Sequence, residues 1–129
     1  MNKNKYPSGF KQELGEKSED LACTFLKKSG YAIVERNFRT KLGELDIIAK
    51  DKETWCFVEV RAKTSAKFGL PEETITYRKQ LQISKLAIQY IKRHYLTEKR
   101  CRFDVVSIIG NKKIRLIKDA FELQGKYSF

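Results

Sequence analysis

With 129 residues, 41% of them hydrophobic and 12% aromatic, the chain holds enough apolar material for one ordinary core, which excludes a disordered tail. Its three cysteines, Cys23, Cys56 and Cys101, are odd in number, widely spaced and set among apolar neighbours; this excludes a disulfide frame or a zinc site and points to a reducing, cytoplasmic setting. Lys and Arg number 27 against 16 Asp and Glu, a net charge of +11, so a polyanion is the expected partner, nucleic acid before an acidic membrane surface, against the plainer alternative that lysines keep a small protein dissolved.

A single domain is expected over 1–129, opening with a loose basic arm to about Phe10 that contains Pro7, Ser8 and Gly9. No apolar run in the arm has signal-peptide length and none downstream approaches a membrane span, so no membrane partner is expected. A helix then starts between Ser8 and Gly15 and runs to Ser29, with Gly30 as its stop. Leu14, Leu21, Ala22, Phe25 and Leu26 form its apolar stripe, while Lys27 and Lys28 suit the negative end of the dipole. Glu19 lies on the flank of that stripe, where it can reach the rim of a sheet; a solvated helix glutamate explains the spacing equally well.

Tyr31 to Thr40 alternates as a strand, with Tyr31, Ile33 and Glu35 on one side and Ala32, Val34 and Arg36 on the other. Arg36, Arg39 and Lys41 make its end basic. Two short strands follow, one from Gly43-Glu44-Leu45-Asp46 through Ala49 and one from Trp55 to Arg61, parted by the polar Lys50-Asp51-Lys52-Glu53. Thr64 to Thr76, with Gly69-Leu70-Pro71, reads as a long polar loop. A second helix spans about Tyr77 to Tyr95, packing through Leu81, Ile83, Leu86, Ala87, Tyr90 and Ile91; its only histidine, His94, is a surface residue. Arg78 and Lys79 stand in its first turn, where the dipole disfavours cations; a bound phosphate removes that conflict, and surface accident is the alternative. Arg102 to Ile109 is a strand, Gly110-Asn111 a turn, and Lys113 to Ile117 the hairpin partner. The order α-β-β-β-α-β-β specifies an α/β fold, a mixed central sheet flanked by helices.

Acids inside short apolar strands are costly unless paired or bound to a metal. Asp46 follows a turn, Glu59 ends the next strand, and Arg61 lies two residues on, on the same face. Two carboxylates and a backbone carbonyl can hold Mg²⁺ through oxygens at about 2.0–2.1 Å, leaving positions for water and a substrate phosphate. Such an ion polarises the phosphate and activates water, and a nearby cation offsets the added negative charge. Phosphodiester hydrolysis needs that set.

Asp46 followed by Glu59-Val60-Arg61 resembles the Asp…Glu-x-Lys signature of the restriction endonuclease-like nucleases. Gly15-x-x-x-Glu19-x-x-Ala22, Gly30-Tyr31, Arg36-Asn37-x-Arg39, Gly43-Glu44-x-Asp46, Phe57-Val58-Glu59-Val60-Arg61, Lys79-Gln80 and Arg102-Phe103-Asp104-Val105-Val106 are similar to the small bacterial YraN-like family, over about Leu14 to Ile109. That family is treated as endonucleases related to archaeal Holliday junction resolvases. The resemblance implies a restriction endonuclease-like fold and Mg²⁺- or Mn²⁺-dependent cleavage of DNA, with branched or recombination intermediates as substrates by analogy. It makes Glu19, Asp46 and Glu59 the metal-binding acids and, with Arg61, the catalytic set. The basic balance and the cations in the second helix's first turn put Arg36, Arg39, Lys63, Arg78 and Lys79 on a nucleic-acid face on the same side as the acids; the Lys79-Gln80 pair of the resemblance adds Gln80, and a homodimer is compatible with this.

Arg61 departs from the signature lysine: it can clamp a phosphate but cannot release a proton, so Lys63 or Lys79 is the alternative ammonium. The sequence leaves two rivals open. One is a nucleic-acid-binding module that kept the fold and lost the chemistry. The other is a structural protein whose acids pair with Arg36, Arg39 and Arg61.

Overall fold

The computed structural model describes residues 10–110 and 112–125, with side chains from residue 17 onward; the expected arm over 1–9, the place of Leu14 on the helix stripe and Asn111 of the expected turn lie outside the described residues. The elements are α1 (Phe10–Lys28), β1 (Ala32–Thr40), β2 (Gly43–Asp51), β3 (Thr54–Lys63), a 3-10 turn (Pro71–Thr74), α2 (Tyr77–Arg93), β4 (Cys101–Ile109) and β5 (Lys113–Phe121). The strands form one sheet in the order β1-β2-β3-β4-β5. Every neighbouring pair is antiparallel except β3 and β4, which are parallel. A parallel pair needs a crossover, and the segment between Thr64 and Arg100, with the 3-10 turn and α2, supplies it. The fold is therefore α/β, a mixed five-stranded sheet flanked by two helices.

Each helix covers one face of the sheet. Ala22, Cys23 and Leu26 of α1 pack with Ile47, Ala49, Cys56, Val58, Val106 and Ile108. Ile83, Leu86, Ala87, Tyr90 and Ile91 of α2 pack with Phe38, Leu45, Ile48, Phe57, Phe103 and Val105. Strands β2, β3 and β4 are thus buried on both faces, which is why they read as nearly continuous apolar runs. Gly30 ends α1 at a φ of 94°, and the chain returns through the Tyr31 N–H, which donates to Leu26 O at 2.9 Å. At the other helix Thr76 accepts the Lys79 N–H at 3.2 Å as an N-cap.

Several expected boundaries shift. The loop from 64 to 76 contains the 3-10 turn, whose Pro71 is buried and whose Glu72 pairs with Arg115 and accepts from Ser107 at 2.8 Å. Helix α2 stops at Arg93 because Tyr95 has a φ of 56°, and β5 runs on to Phe121. The expected sides of β1 are also wrong beyond Ile33. The register slips between Ile33 and Glu35, and this bulge sends Arg36 to the α1 side, the side of Tyr31 and Ile33. Glu35 goes to the other side, where its charge acts on Tyr90 of α2.

A buried polar cluster ties the turn after α1 to β2, β4 and β5 at one end of the sheet. Asp104 is fully buried and accepts from the Tyr31 hydroxyl at 2.7 Å, Arg102 Nε at 2.9 Å and the Asp119 N–H at 2.9 Å. Arg102 Nη2 also donates to Asp51 at 2.8 Å and to the Tyr31 hydroxyl at 2.7 Å. Burial and the bond to Asp104 push the Tyr31 phenol well above its usual range. With every partner satisfied, these charges specify how the turn after α1 docks on β4.

Candidate functional site

A second concentration of charge lies at the opposite end of β2, where the strand begins. Glu44 and Asp46, two residues apart on β2, meet Glu19 of α1, and ligand oxygens of the three carboxylates lie within 4.8 Å of one another. Asn37 stands across from this stretch, between the paired Arg36↔Ile47 and Phe38↔Leu45. Its φ of 55° is a left-handed conformation that asparagine tolerates better than most residues. From there Nδ2 donates to Glu19 Oε1 at 2.9 Å and to Glu44 Oε1 at 2.6 Å. Arg39 forks onto Glu44 Oε2 at 2.8 and 3.3 Å, and Arg36 reaches Asp20 at 2.9 Å and Glu19 at 3.7 Å. Burial opposes ionisation of Glu44, but the bonds from Arg39 and Asn37 outweigh it and hold its carboxyl below the usual range.

Asp46 occupies a fork. The β2–β3 ladder ends at Ile47 and Val58, and beyond it Asp46 Oδ2 accepts the Val60 N–H at 2.8 Å. Val58 and Val60 pack on the α1 side and Phe57 on the α2 side, so alternation gives Glu59 and Arg61 to the α2 side. Glu59 has a side chain only 4% exposed and touches Arg61 Nη2 through Oε2 at 3.4 Å. Its other oxygen, Oε1, and Arg61 Nε are buried without a hydrogen-bond partner. Burial first, then the charge of Asp46, push the Glu59 carboxyl up. Burial likewise raises Asp46, against the Val60 N–H and with the help of Glu19. The expected trio of Glu19, Asp46 and Glu59 is therefore joined through Asp46, with Glu19 on the α1 side of the sheet and Glu59 on the α2 side. Glu44, rather than Glu59, completes the tight group with Glu19.

On the α2 side, Arg61 lines a cleft of about 310 Å³ together with Thr74, Thr76, Arg78, Lys79 and Gln82. Lys79 donates to Gln82 at 3.2 Å, and Gln82 in turn donates to Leu42 O at 2.7 Å, linking α2 to the turn between β1 and β2. Gly43 makes room for this link: a Cβ there would stand 2.5 Å from Gln82 Nε2, and its φ of 134° is one that side chains rarely adopt. Three cations and two hydroxyl-bearing residues facing one cleft can clamp a phosphate.

Of the residues expected on a nucleic-acid face, Arg78 and Lys79 line this cleft, and Lys63 lies nearby with Nζ donating to Gly69 O at 3.4 Å. Arg36 and Arg39 sit on the acids' side as expected, paired with Glu19, Asp20 and Glu44 and apart from this cleft. Gln80 departs from expectation: its amide donates to Ile75 O at 3.4 Å, and it lies with Glu72, Val105 and Ile117 rather than in the cleft. A neighbour in a helix is rotated by about 100°, so Lys79 and Gln80 cannot share a face. Glu44, Asn37, Thr76 and Gln82 are the site residues that sequence reasoning passed over. For Glu44 a signal existed, since Gly-Glu-x-Asp puts both acids on one side of a strand.

The donor set fits a hard divalent ion. Glu19, Glu44 and Asp46 offer only carboxylate oxygens, within a span that small side-chain adjustments bring to one centre, and buried Glu59 keeps an oxygen free of hydrogen bonds beside Asp46. Oxygen-only sites of this kind suit Mg²⁺ or Mn²⁺ rather than zinc or copper.

A sequence model of the uncharacterised protein family UPF0102 matches residues 18–108. The chain is 48% identical over 116 residues to a UPF0102 protein of Caldicellulosiruptor saccharolyticus, covering 86% of this chain and 98% of that one. Against a UPF0102 protein of Clostridium kluyveri the identity is 43% over 119 residues, covering 88% and 98% of the two chains. A third, from Persephonella marina, is 47% identical over 109 residues, covering 84% and 93%.

Proposed function

This chain belongs to the uncharacterised protein family UPF0102, and from that premise and the site we propose that it is a metal-dependent endonuclease of restriction endonuclease-like descent, hydrolysing phosphodiester bonds in DNA. The observation that carries the proposal is a buried carboxylate with an unpartnered oxygen, Glu59, set beside Asp46 in a group of acids and next to a cleft lined by cations. Buried like charges destabilise a fold, and an ion that they hold in common offsets the cost.

In this proposal Glu19, Asp46 and Glu59 would hold Mg²⁺ or Mn²⁺, with Asp46 between the other two and Glu44 added by its place beside Glu19 and Asp46. The bound ion would supply Lewis-acid polarisation of the phosphate and a water of lowered pKa. The remaining work falls to the chain's own groups. Arg61, Arg78 and Lys79 clamp phosphate oxygens and offset developing charge. Arg61 keeps its proton throughout, so it orients and stabilises rather than acting as a base. Branched or recombination DNA is the substrate by analogy, a homodimer is compatible with the proposal, and three free thiols suit a reducing cytoplasm. No helix among the described residues is long and apolar enough to cross a membrane.

A catalytically inactive nucleic-acid-binding module is the second reading. Glu19 meets Arg36 and Asn37, Glu44 meets Arg39 and Asn37, and Glu59 meets Arg61, pairings that favour a reading without catalysis and suit equally a structural protein whose acids pair with Arg36, Arg39 and Arg61. A protein with its acids so neutralised can keep its fold without a metal.

Incubation of pure protein with supercoiled plasmid and with four-way junctions, in Mg²⁺ or Mn²⁺, separates the two. The nuclease gives divalent-dependent nicking that falls on the order of a hundredfold or more in Asp46→Ala and Asp46→Asn, with DNA binding kept. Absence of cleavage on duplex, branched and single-stranded DNA alike removes the nuclease; DNA binding at low salt then marks the binding module, and no binding marks the structural protein.

A further inference from the structure

Two exposed aromatic rings stand on chain segments that lead into the basic cleft. Phe68 is 87% exposed and Tyr77 is 62% exposed. A phenylalanine ring left in water forgoes one of the larger stabilising contributions a side chain can make. Tyr77 lies between Thr76 and Arg78, both of which line the cleft. Phe68 belongs to the segment that joins β3 to the 3-10 turn, and that segment is fastened to the same wall. Lys63, two residues beyond Arg61 on the same face of β3, donates to Gly69 O at 3.4 Å. The Gly69 N–H donates to Ala66 O at 3.2 Å, the Leu70 N–H donates to Glu73 Oε1 at 2.7 Å, and Thr74 at the end of the 3-10 turn enters the cleft lining. The Lys67 ammonium stands 5.6 Å from the centre of the Phe68 ring, so a cation accompanies this aromatic too.

We propose that Phe68 and Tyr77 are stacking platforms for unpaired bases of a single-stranded stretch of DNA whose phosphates lie in the cleft of Arg61, Arg78 and Lys79. The proposal rests on the reading that this face binds nucleic acid, but not on cleavage. Cations in a groove attract any phosphate backbone, whereas an exposed ring adds affinity only where a base face is free. In a duplex each base is already stacked between its neighbours. Alternating cations and exposed rings therefore favour DNA with unpaired nucleotides, such as a flap, a gap or an opened junction, over intact duplex.

The test is fluorescence anisotropy in EDTA, where no cleavage can intervene, with a labelled oligothymidine strand and a blunt duplex of the same length. Phe68→Ala is expected to weaken binding to the strand about tenfold, and Phe68→Ala combined with Tyr77→Ala further, with duplex binding within about twofold of wild type. The salt slope should be unchanged in both, whereas Arg78→Ala should weaken strand and duplex alike and reduce the slope by about one. Phe68→Trp adds a second readout: its emission should be quenched by the strand beyond any change at Trp55 in wild type. Equal losses on strand and duplex, or a Phe68→Ala protein that binds the strand like wild type, overturn the proposal. So does a Phe68→Ala protein whose one change is dissociation of a dimer in sedimentation, which makes the ring a protein contact. If wild type binds neither strand nor duplex at low salt, the nucleic-acid reading falls with it. Strand binding that needs Phe68 in a protein that never cleaves keeps this proposal and removes only the nuclease.

Discussion

The Val60 N–H donates to Asp46 Oδ2 at 2.8 Å, just past the point where the β2–β3 ladder ends at Ile47 and Val58. A side-chain carboxylate thus takes the place in strand pairing that a backbone carbonyl ordinarily holds. Asp46 is fixed by the residue that follows Glu59, so the position of one acid is tied to the strand that carries the other. Asp46→Asn keeps an oxygen for Val60 and removes the charge, which makes it the cleaner of the two Asp46 variants.

Arg61 distinguishes an enzyme from a binding module. Its guanidinium contacts Glu59 at 3.4 Å and opens into the cation-lined cleft. For a nuclease, Arg61→Ala is expected to lower the cleavage rate on the order of a hundredfold or more while DNA affinity falls only modestly. Arg61→Lys should keep or raise activity if the site is a nuclease's, because a compact ammonium is what the Asp…Glu-x-Lys signature it resembles carries there. For a binding module, Arg61→Ala weakens affinity as any lost phosphate contact does and no variant cleaves. Cleavage rates and affinities of the three proteins in Mg²⁺ and Mn²⁺ check this.

Glu59 should make the metal-free protein less stable as pH rises. Burial and the neighbouring Asp46 raise its folded-state pKa, so the native protein binds this proton more tightly than the unfolded chain does. The contribution to stability is then greatest below the ordinary carboxylate range and is lost as pH climbs through the raised value. Glu59→Gln removes the charge, and is expected to stabilise the protein in EDTA on the order of 1–3 kcal/mol at mildly alkaline pH and to flatten the pH dependence. Thermal melts of both proteins across pH 5 to about 9 measure it; an unchanged pH dependence in Glu59→Gln would remove the buried-charge account.

The buried cluster around Asp104 is expected to govern stability and not chemistry. Asp104→Ala leaves Arg102 and the Tyr31 hydroxyl without their main acceptor, at a cost of about 3–5 kcal/mol. Tyr31→Phe removes one bond and should cost about 1–2 kcal/mol. Urea denaturation gives both values, and DNA affinity per folded molecule should not change.

Much of this architecture is legible in the chain, and the exceptions share a cause. Ile47-Ile48-Ala49 and Cys56-Phe57-Val58 read as strands because both faces are covered, so no fine parity was needed. At β1 parity did matter, and the slip between Ile33 and Glu35 with the left-handed Asn37 reversed it without any mark in the hydrophobic pattern. Simple alternation therefore gives Arg36 the wrong side. Glu19 has a place at the site that helical spacing alone cannot distinguish from solvent exposure. Gln80 comes with Lys79 from the motif the chain resembles, whereas helix geometry turns the two side chains apart. Gln82, one helical turn from Lys79, is invisible as a site residue until Gly43 and Leu42 are brought against it.

The lone parallel pairing, β3 with β4, sets an order of events. Acids arrive early in the chain, on α1, β2 and β3, whereas Thr74, Thr76, Arg78, Lys79 and Gln82 ride on the crossover that comes after them. That crossover is anchored at its far end only when β4 aligns along β3 from Trp55↔Cys101 to Lys63↔Ile109. Such long-range closure is the slow part of folding, since chain entropy is lost before the new contacts form. During synthesis the acid half can therefore be complete while the cationic half is still unanchored. The cleft of Arg61, Arg78 and Lys79 is thus completed last, once the fold is nearly closed.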